Sequence, residues 1–275
     1  MGWFANWRRR KILRERPLSE ALWARAVSPY AFIAALDKDE TRRLRDLVVL
    51  FLDEKQLHGA ANFGISDEAR IAIAAQACLP VLNLGLEWYA GWVGVIVYPG
   101  EFKVARTIVD DDGVVHEFDD ALSGEAWPDG PVVLSWQDAA MTDAGYNVVI
   151  HEFAHKLDMA QGEDEVPLPR PGMDADAWRE VFESAYAEFC AEVETSDDTL
   201  VDPYAAEHPA EFFAVMSEMF FTHSAVLARD WPELYQQFTH YYHQDPAGIF
   251  DADGAAVSAA SVTNVTNVTT APTTR

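Results

Sequence analysis

Cysteine is scarce in this chain: of 275 residues only Cys78 and Cys190 are thiols. Neither has metal-ligand spacing, which excludes a disulfide framework and a cysteine-based zinc site. Both sit in apolar helical contexts and read as free thiols of a reducing, cytoplasmic setting. Basic residues are also in the minority. Twenty Lys and Arg stand against 45 Asp and Glu, a net charge of −25, which argues against a nucleic-acid phosphate backbone as partner. Long hydrophobic runs are missing, so stable membrane insertion is not expected. A secretory pattern is missing too: Arg8-Arg9-Arg10-Lys11 follows the only early apolar residues, and no hydrophobic run comes after it.

What is present is a core. Hydrophobic residues make up 49% of the chain and aromatic residues 12%. The charge is uneven, with 12 Lys and Arg against 8 Asp and Glu in residues 1–60 and the acidity concentrated beyond them. Acidity on this scale reports solubility before it reports a substrate. Residues 1–17, with Trp3, Phe4 and Trp7 beside the basic run, read as a flexible arm in preference to a membrane-touching one. Residues 18–250 read as one catalytic domain with a helical N-terminal layer. From Asp251 the chain turns to Ala, Ser, Thr, Val and Asn; the repeated Val-Thr-Asn has no core to join, so residues 251–275 read as a disordered tail.

Ser19 is placed to cap a helix running to Ala26. Periodicity predicts another helix from Asp39 to Gln56, and Ser66 opens one toward Cys78. Short β-branched runs follow at Val93–Tyr98, Lys103–Val109, Val114–Phe118 and Val132–Trp136, separated by Gly, Asp or Pro. They predict a small, mainly antiparallel sheet, with Val132–Trp136 as the edge on which an extended peptide pairs. Gly162 to Gly172 reads as a loop beside the cleft. Ala175–Val193 and Trp231–His243 read as helices whose aromatic stripes are core. His223, His240 and His243 are therefore assigned structural or surface places.

His151-Glu152-Phe153-Ala154-His155 lies between the sheet and those last helices. It reads H-E-x-x-H in an apolar run at helical spacing, with Asn147 as N-cap and Gly162 as a downstream stop. Positions i and i+4 share a helix face, so both imidazoles can reach one metal ion while Glu152 acts on a water. A half-buried amphipathic helix without metal is the plain alternative; the flanking context disfavours it. A sheet followed by such a helix is the zincin-like order, which makes the expected fold class α+β.

Hydrolytic zinc sites use three protein ligands. The H-E-x-x-H-x-x-G-x-x-H extension is absent, because position 158 is Asp and no histidine follows until His208. A distant carboxylate is the better expectation. Glu211 is preferred because it opens an apolar helix after Pro209, where a carboxylate is costly unless paired or metal-bound. Glu207, His208 and Glu218 remain competitors. Asp158 is placed either to orient a ligand imidazole or to form a helix-end salt bridge.

These residues carry a resemblance. His151-Glu152-Phe153-Ala154-His155-Lys156-Leu157-Asp158, then Tyr204 and Pro209-Ala210-Glu211-Phe212-Phe213-Ala214-Val215, are similar to the Mlc titration factor A (MtfA) family of bacterial zinc metallopeptidases. Cys78-Leu79-Pro80-Val81-Leu82, Leu84-Gly85-Leu86-Glu87-Trp88 and Gln244-Asp245-Pro246 extend the likeness over roughly residues 18–247. The family's catalytic core is similar to that of anthrax lethal factor. The resemblance implies one zinc ion per chain held by His151, His155 and Glu211. It implies Glu152 as general base and Tyr204 as the phenol facing the oxyanion. It also implies aminopeptidase-like activity on small substrates, and a transcriptional regulator as partner. His208 stands where a small polar or acidic residue is expected, close enough to tune the zinc or compete for it.

Two readings follow. The first is a cytoplasmic zinc-dependent peptidase acting on peptide or protein substrates. The alternative is a regulatory binding protein that sequesters a repressor of sugar metabolism, with the zinc site secondary. Retention of Glu152 favours the first, because a purely structural zinc site has no use for that carboxylate.

Overall fold

The structure, a computed structural model, describes residues 3–109, 115–141, 146–162, 166–196 and 198–248. The proposed tail at 251–275 and part of the loop expected at Gly162–Gly172 lie outside them.

Helix α1 (Trp3–Glu15) occupies most of the expected basic arm; its Arg8, and Arg16 just beyond its end, pair with Asp53. Helices α2 (Glu20–Val27), α3 (Ala31–Ala34), α4 (Lys38–Glu54) and α5 (Asp67–Cys78) form the N-terminal layer. Their starts follow local chemistry. Asp37 forms a capping box with Glu40 at α4, and the Ser66 hydroxyl accepts the Ala69 N–H at α5. Leu44, Val48 and Phe51 enter the core from α4, whereas α5 is buried almost all round.

The chain then forms six strands among the described residues: β1 (Gln56–Gly59), β2 (Gly94–Tyr98), β3 (Phe102–Val109), β4 (Val115–Leu122), β5 (Gly124–Ala126) and β6 (Val132–Ser135). The sheet is mixed, in the order β1-β2-β6-β5, and this corrects the expectation of a mainly antiparallel one. β1 pairs parallel with β2 and β2 parallel with β6, while only β5 runs antiparallel, to β6. β3 and β4 form a separate antiparallel ribbon. The edge assignment also changes. β6 is buried at every position between two neighbours, so its uninterrupted Val-Val-Leu-Ser marks an inner strand; the edges are β1 and, on the α7 side, β5. The helix expected to reach Gln56 ends at Glu54, Gln56 opening β1 instead, and β5, with only three residues, carries no hydrophobic alternation.

After β6 come α6 (Trp136–Ala139), α7 (Val148–Met159), α8 (Ala175–Thr195), α9 (Pro209–Thr222), α10 (Ser224–Asp230) and α11 (Pro232–Tyr242). Trp178 of α8 stacks on Tyr241 of α11 with ring centroids 5.3 Å apart, and Phe213 of α9 meets both rings edge-on. This aromatic cluster ties α9 to α8 and α11. Buried apolar residues from Trp23 to Tyr242 form one continuous core. No described helix is long and apolar enough to cross a membrane.

Candidate metal centre and active site

Helix α7 is capped by Asn147, whose side-chain oxygen accepts the Ile150 N–H at 2.9 Å. The Asn147 amide nitrogen donates to Gln76 Oε1 at 2.7 Å, which ties the cap to α5. The helical repeat then sorts the side chains into stripes. Ile150, Phe153, Ala154 and Leu157 are fully buried in the core. His151 and His155, one turn apart, meet α9. Val148, Glu152 and Lys156, each four residues from the next, meet the β5–β6 hairpin.

On α9, Pro209 occupies the first turn and His208 is the N-cap, its Nδ1 accepting the Ala210 N–H at 3.1 Å. Its ring therefore serves the helix start. Glu211 and Glu218, seven residues apart, share the face turned to α7.

His151 Nε2 lies 3.1 Å from Glu211 Oε2 and 3.1 Å from His155 Nε2, and His155 Nε2 lies 3.2 Å from the same Glu211 oxygen. Three ligand-type atoms thus form a nearly equilateral triangle. A tetrahedral ion with bonds of roughly 2.0–2.1 Å has donors about 3.3 Å apart, close to the size of this triangle. Among the described residues, His151, His155 and Glu211 form the group able to hold a metal ion. The competitors Glu207 and His208 are exposed and outside it.

Glu218 has a different place. Its Oε1 lies 2.7 Å from His151 Nδ1, and its other oxygen accepts the Asn147 backbone N–H. A carboxylate only accepts, so Nδ1 carries a proton, and Nε2 is the nitrogen turned to the triangle. This is the orienting role considered for Asp158, filled at His151 by a residue on a different helix. The sequence held a usable signal: Glu218 is two helical turns beyond Glu211.

The electrostatics call for a cation. Burial disfavours a charged His151 ring, yet the hydrogen-bonded Glu211 and Glu218 carboxylates raise its pKa well above the usual histidine range. Burial opposes ionisation of Glu211, and hydrogen bonds from His151 and His155 hold its pKa far below the carboxylate range. Burial pushes Glu152 up to about 8; the His151 ring pulls it down, while Glu211, Glu218 and Glu125 add to the rise. Glu152 Oε2 is buried without a hydrogen-bond partner among the described residues. Two imidazoles ringed by carboxylates fit a divalent metal, and the orphan oxygen beside them fits a water or a transferable proton.

His151, one corner of the triangle, lines a cleft of about 400 Å³ bounded by Gly124, Tyr146, Glu152 and Tyr204. Tyr204 stands in the short 3-10 turn Pro203–Ala206, half exposed, with its ring centroid 6.3 Å from that of His151. Burial, then the charges of Glu211 and Glu207, raise its pKa and keep the phenol protonated. Gly124 was not found from the sequence. A Cβ there would lie 2.3 Å from Glu152 Oε1 and 2.6 Å from Val148 Cγ2, so only glycine lets β5 approach this closely. His223, His240 and His243 lie outside the cluster, as expected of structural or surface residues.

Comparison with known proteins gives the same direction. The family model described as glucose-regulated metallo-peptidase M90 matches residues 4–243. An uncharacterised protein of Synechocystis is 36% identical over 247 residues, covering 88% of this chain and 90% of that protein. Mlc titration factor A of Enterobacter sp. (strain 638) is 37% identical over 219 residues, covering 78% and 83% of the two chains. Mlc titration factor A of Escherichia coli (strain SMS-3-5 / SECEC) is 37% identical over 229 residues, covering 82% and 86%. With the match running through α1 to the end of α11 and across the His-Glu cluster, this chain belongs to the glucose-regulated M90 metallopeptidase family, in which it groups with the Mlc titration factor A proteins.

Proposed function

We propose that this protein is a zinc-dependent peptidase of zincin-like architecture, with one zinc ion held by His151, His155 and Glu211. The observation that carries the reading is the triangle of His151 Nε2, His155 Nε2 and Glu211 Oε2, with the unpartnered Glu152 oxygen beside it. Three ligands and a free approach from the cleft suit a catalytic site better than a closed structural one. When bound, zinc would supply Lewis acidity, polarising the scissile carbonyl and acidifying water next to it.

The chain's own residues supply the rest. Glu152 takes the proton of the attacking water at Oε2 and delivers it to the leaving amine. Tyr204 donates its phenolic hydrogen to the oxyanion as the carbonyl carbon becomes tetrahedral. Glu218 keeps the His151 proton on Nδ1, so the ring presents a lone pair to the cleft. The edge strand β5 offers main-chain hydrogen bonds to an extended peptide. The carboxylates that line the cleft, Glu152, Asp202 and Glu218, support a preference for substrates with a free amino terminus, and so for aminopeptidase-like activity. We also propose residues 18–250 as a single catalytic domain, supported by the continuous core from Trp23 to Tyr242, in a cytoplasm where Cys78 and Cys190 stay free.

The experiment is a zinc assay and peptide-hydrolysis measurement on wild type beside Glu152→Gln. Both proteins are expected to hold equal zinc, with hydrolysis lost by about 10²–10⁴-fold in the variant alone. Equal cleavage by both, or no zinc in wild type, would refute the reading.

A regulatory reading stands second, supported by the name of the relatives, Mlc titration factor A. A transcriptional regulator would then bind this chain as well, and capture of such a partner should survive Glu152→Gln.

A further inference from the structure

Lys156 directly follows His155, yet it faces another wall. Its side chain is buried, with 2% of the residue exposed. Its ammonium donates to the carbonyls of Trp127, Pro128 (3.2 Å) and Gly130 (2.9 Å). All three belong to the turn that joins β5 to β6. An ammonium has three hydrogens, and one tight turn accepts all of them. The same nitrogen stands 4.7 Å from the centre of the Trp92 ring, and Lys55 Nζ lies 4.0 Å from that centre. Lys55 in turn donates to the Tyr89 and Trp92 carbonyls. Two buried ammonium groups on one indole are an expensive way to fill space, because apolar side chains of similar volume commonly serve stability as well or better. The arrangement instead gives a definite geometry.

That geometry bears on the cleft. Val148, Glu152 and Lys156 form one stripe along α7. At its start the Gly124 backbone presses on Val148 and Glu152. At its end Lys156 grips the turn immediately beyond Ala126. The three-residue edge strand is thus held against α7 at both ends. We infer that Lys156 is a positioning residue, whose ammonium clamps the β5–β6 turn onto α7 and fixes the distance between the edge strand and Glu152. The inference rests on the reading that β5 receives the peptide. Lys156 touches neither substrate nor metal; it acts through the strand.

The test uses the full-length, zinc-loaded protein and its Lys156→Met and Lys156→Arg variants. Methionine keeps the stem and removes the donors; arginine keeps the charge in a planar head that cannot match three carbonyls of one turn. Backbone hydrogen exchange over residues 124–134 is read by mass spectrometry, and kinetics are read with a single-residue amide and with a peptide long enough to line β5. The clamp predicts exchange there faster by about tenfold or more in Lys156→Met and by less in Lys156→Arg. It predicts a KM for the long peptide raised about tenfold, with kcat within about threefold and the short substrate unaffected. Unchanged exchange in a folded variant, or equal loss on both substrates, would overturn it. Should Lys156→Met not fold, Lys156→Arg decides by the same two readouts. If wild type cleaves nothing, the peptidase reading fails, while the exchange rates still decide the clamp.

Discussion

The two walls of the cleft are built from different materials. The α9 wall is a 14-residue helix buried along ten consecutive positions, Phe212 to Phe221, and it reaches α7 through charge-assisted contacts from Glu211 and Glu218. The β5 wall is a half-buried strand of three residues, held by a glycine contact and a lysine ammonium. Carboxylate-to-imidazole hydrogen bonds are short and directional, and the α9 wall holds the ligand-type atoms through such contacts at 2.7, 3.1 and 3.2 Å. An edge strand keeps unpaired backbone groups and can match many peptides. In the proposed peptidase the metal triangle would therefore stand on the α9 wall, and recognition would fall to the adaptable one. Glu152 lies between them, with His151 as its helix neighbour and Gly124 against its carboxylate.

The largest effect that would break this division lies on the β5 side. Gly124→Ala places a methyl group where the Glu152 carboxylate and the Val148 side chain now sit. The carboxylate is the flexible partner and is expected to swing aside, by something near an ångström. Misplacement of a reacting group on that scale commonly costs on the order of 10²-fold in rate. We expect kcat to fall by about that factor while zinc affinity stays within about twofold, since none of the three ligand-type atoms touches Gly124. Parallel measurement of kcat and zinc dissociation decides. A large loss of zinc would show that the two walls are not separable.

The α9 side is probed by Glu218→Gln. Glu218 accepts from two donors, His151 Nδ1 and the Asn147 N–H, one on each oxygen. Glutamine has a single acceptor oxygen, so one donor is left facing an amide NH₂. Loss of a partner behind a metal-binding histidine typically weakens the metal by about 10–100-fold. Competition with a chelator should show that loss, and at saturating zinc kcat should recover most of its value. Unchanged zinc affinity would mean that the triangle is set by packing alone.

The same two walls explain what the sequence disclosed. That His151, His155 and Glu211 come together as a group able to hold a metal ion was legible, because ligand chemistry dictates residue type and helical spacing dictates which positions share a face. Helix starts at Ser19, Ser66 and Asn147 were legible because capping is local: each side chain accepts the backbone N–H three residues ahead. The sheet was misjudged because strand order is a long-range property. Parallel pairing of Gln56–Gly59 with Gly94–Val97 joins segments far apart in the chain, and no local pattern marks the partner. Gly124 and Lys156 were invisible for the same reason. A glycine is informative only once its neighbour is known, and a lysine in an acidic protein reads as surface until three carbonyls surround it.

The smallest expected effect tests whether the α9 wall owes its precision to the start of α7. Asn147 caps α7, donates to Gln76 and, through its backbone, to Glu218. Asn147→Ala removes the two side-chain bonds and leaves the backbone one. Loss of such a cap costs about 0.5–2 kcal/mol, and a bereft Gln76 oxygen adds to it. Urea unfolding of the zinc-free protein should record a loss in that range. Because the Glu218 contact is made by the main chain, zinc affinity should fall by no more than about threefold, less than for Glu218→Gln. A loss of zinc as large as that of Glu218→Gln would move the origin of the site's rigidity from the α9 carboxylates to the cap of α7, and would make the first turn of that helix the third wall of the cleft.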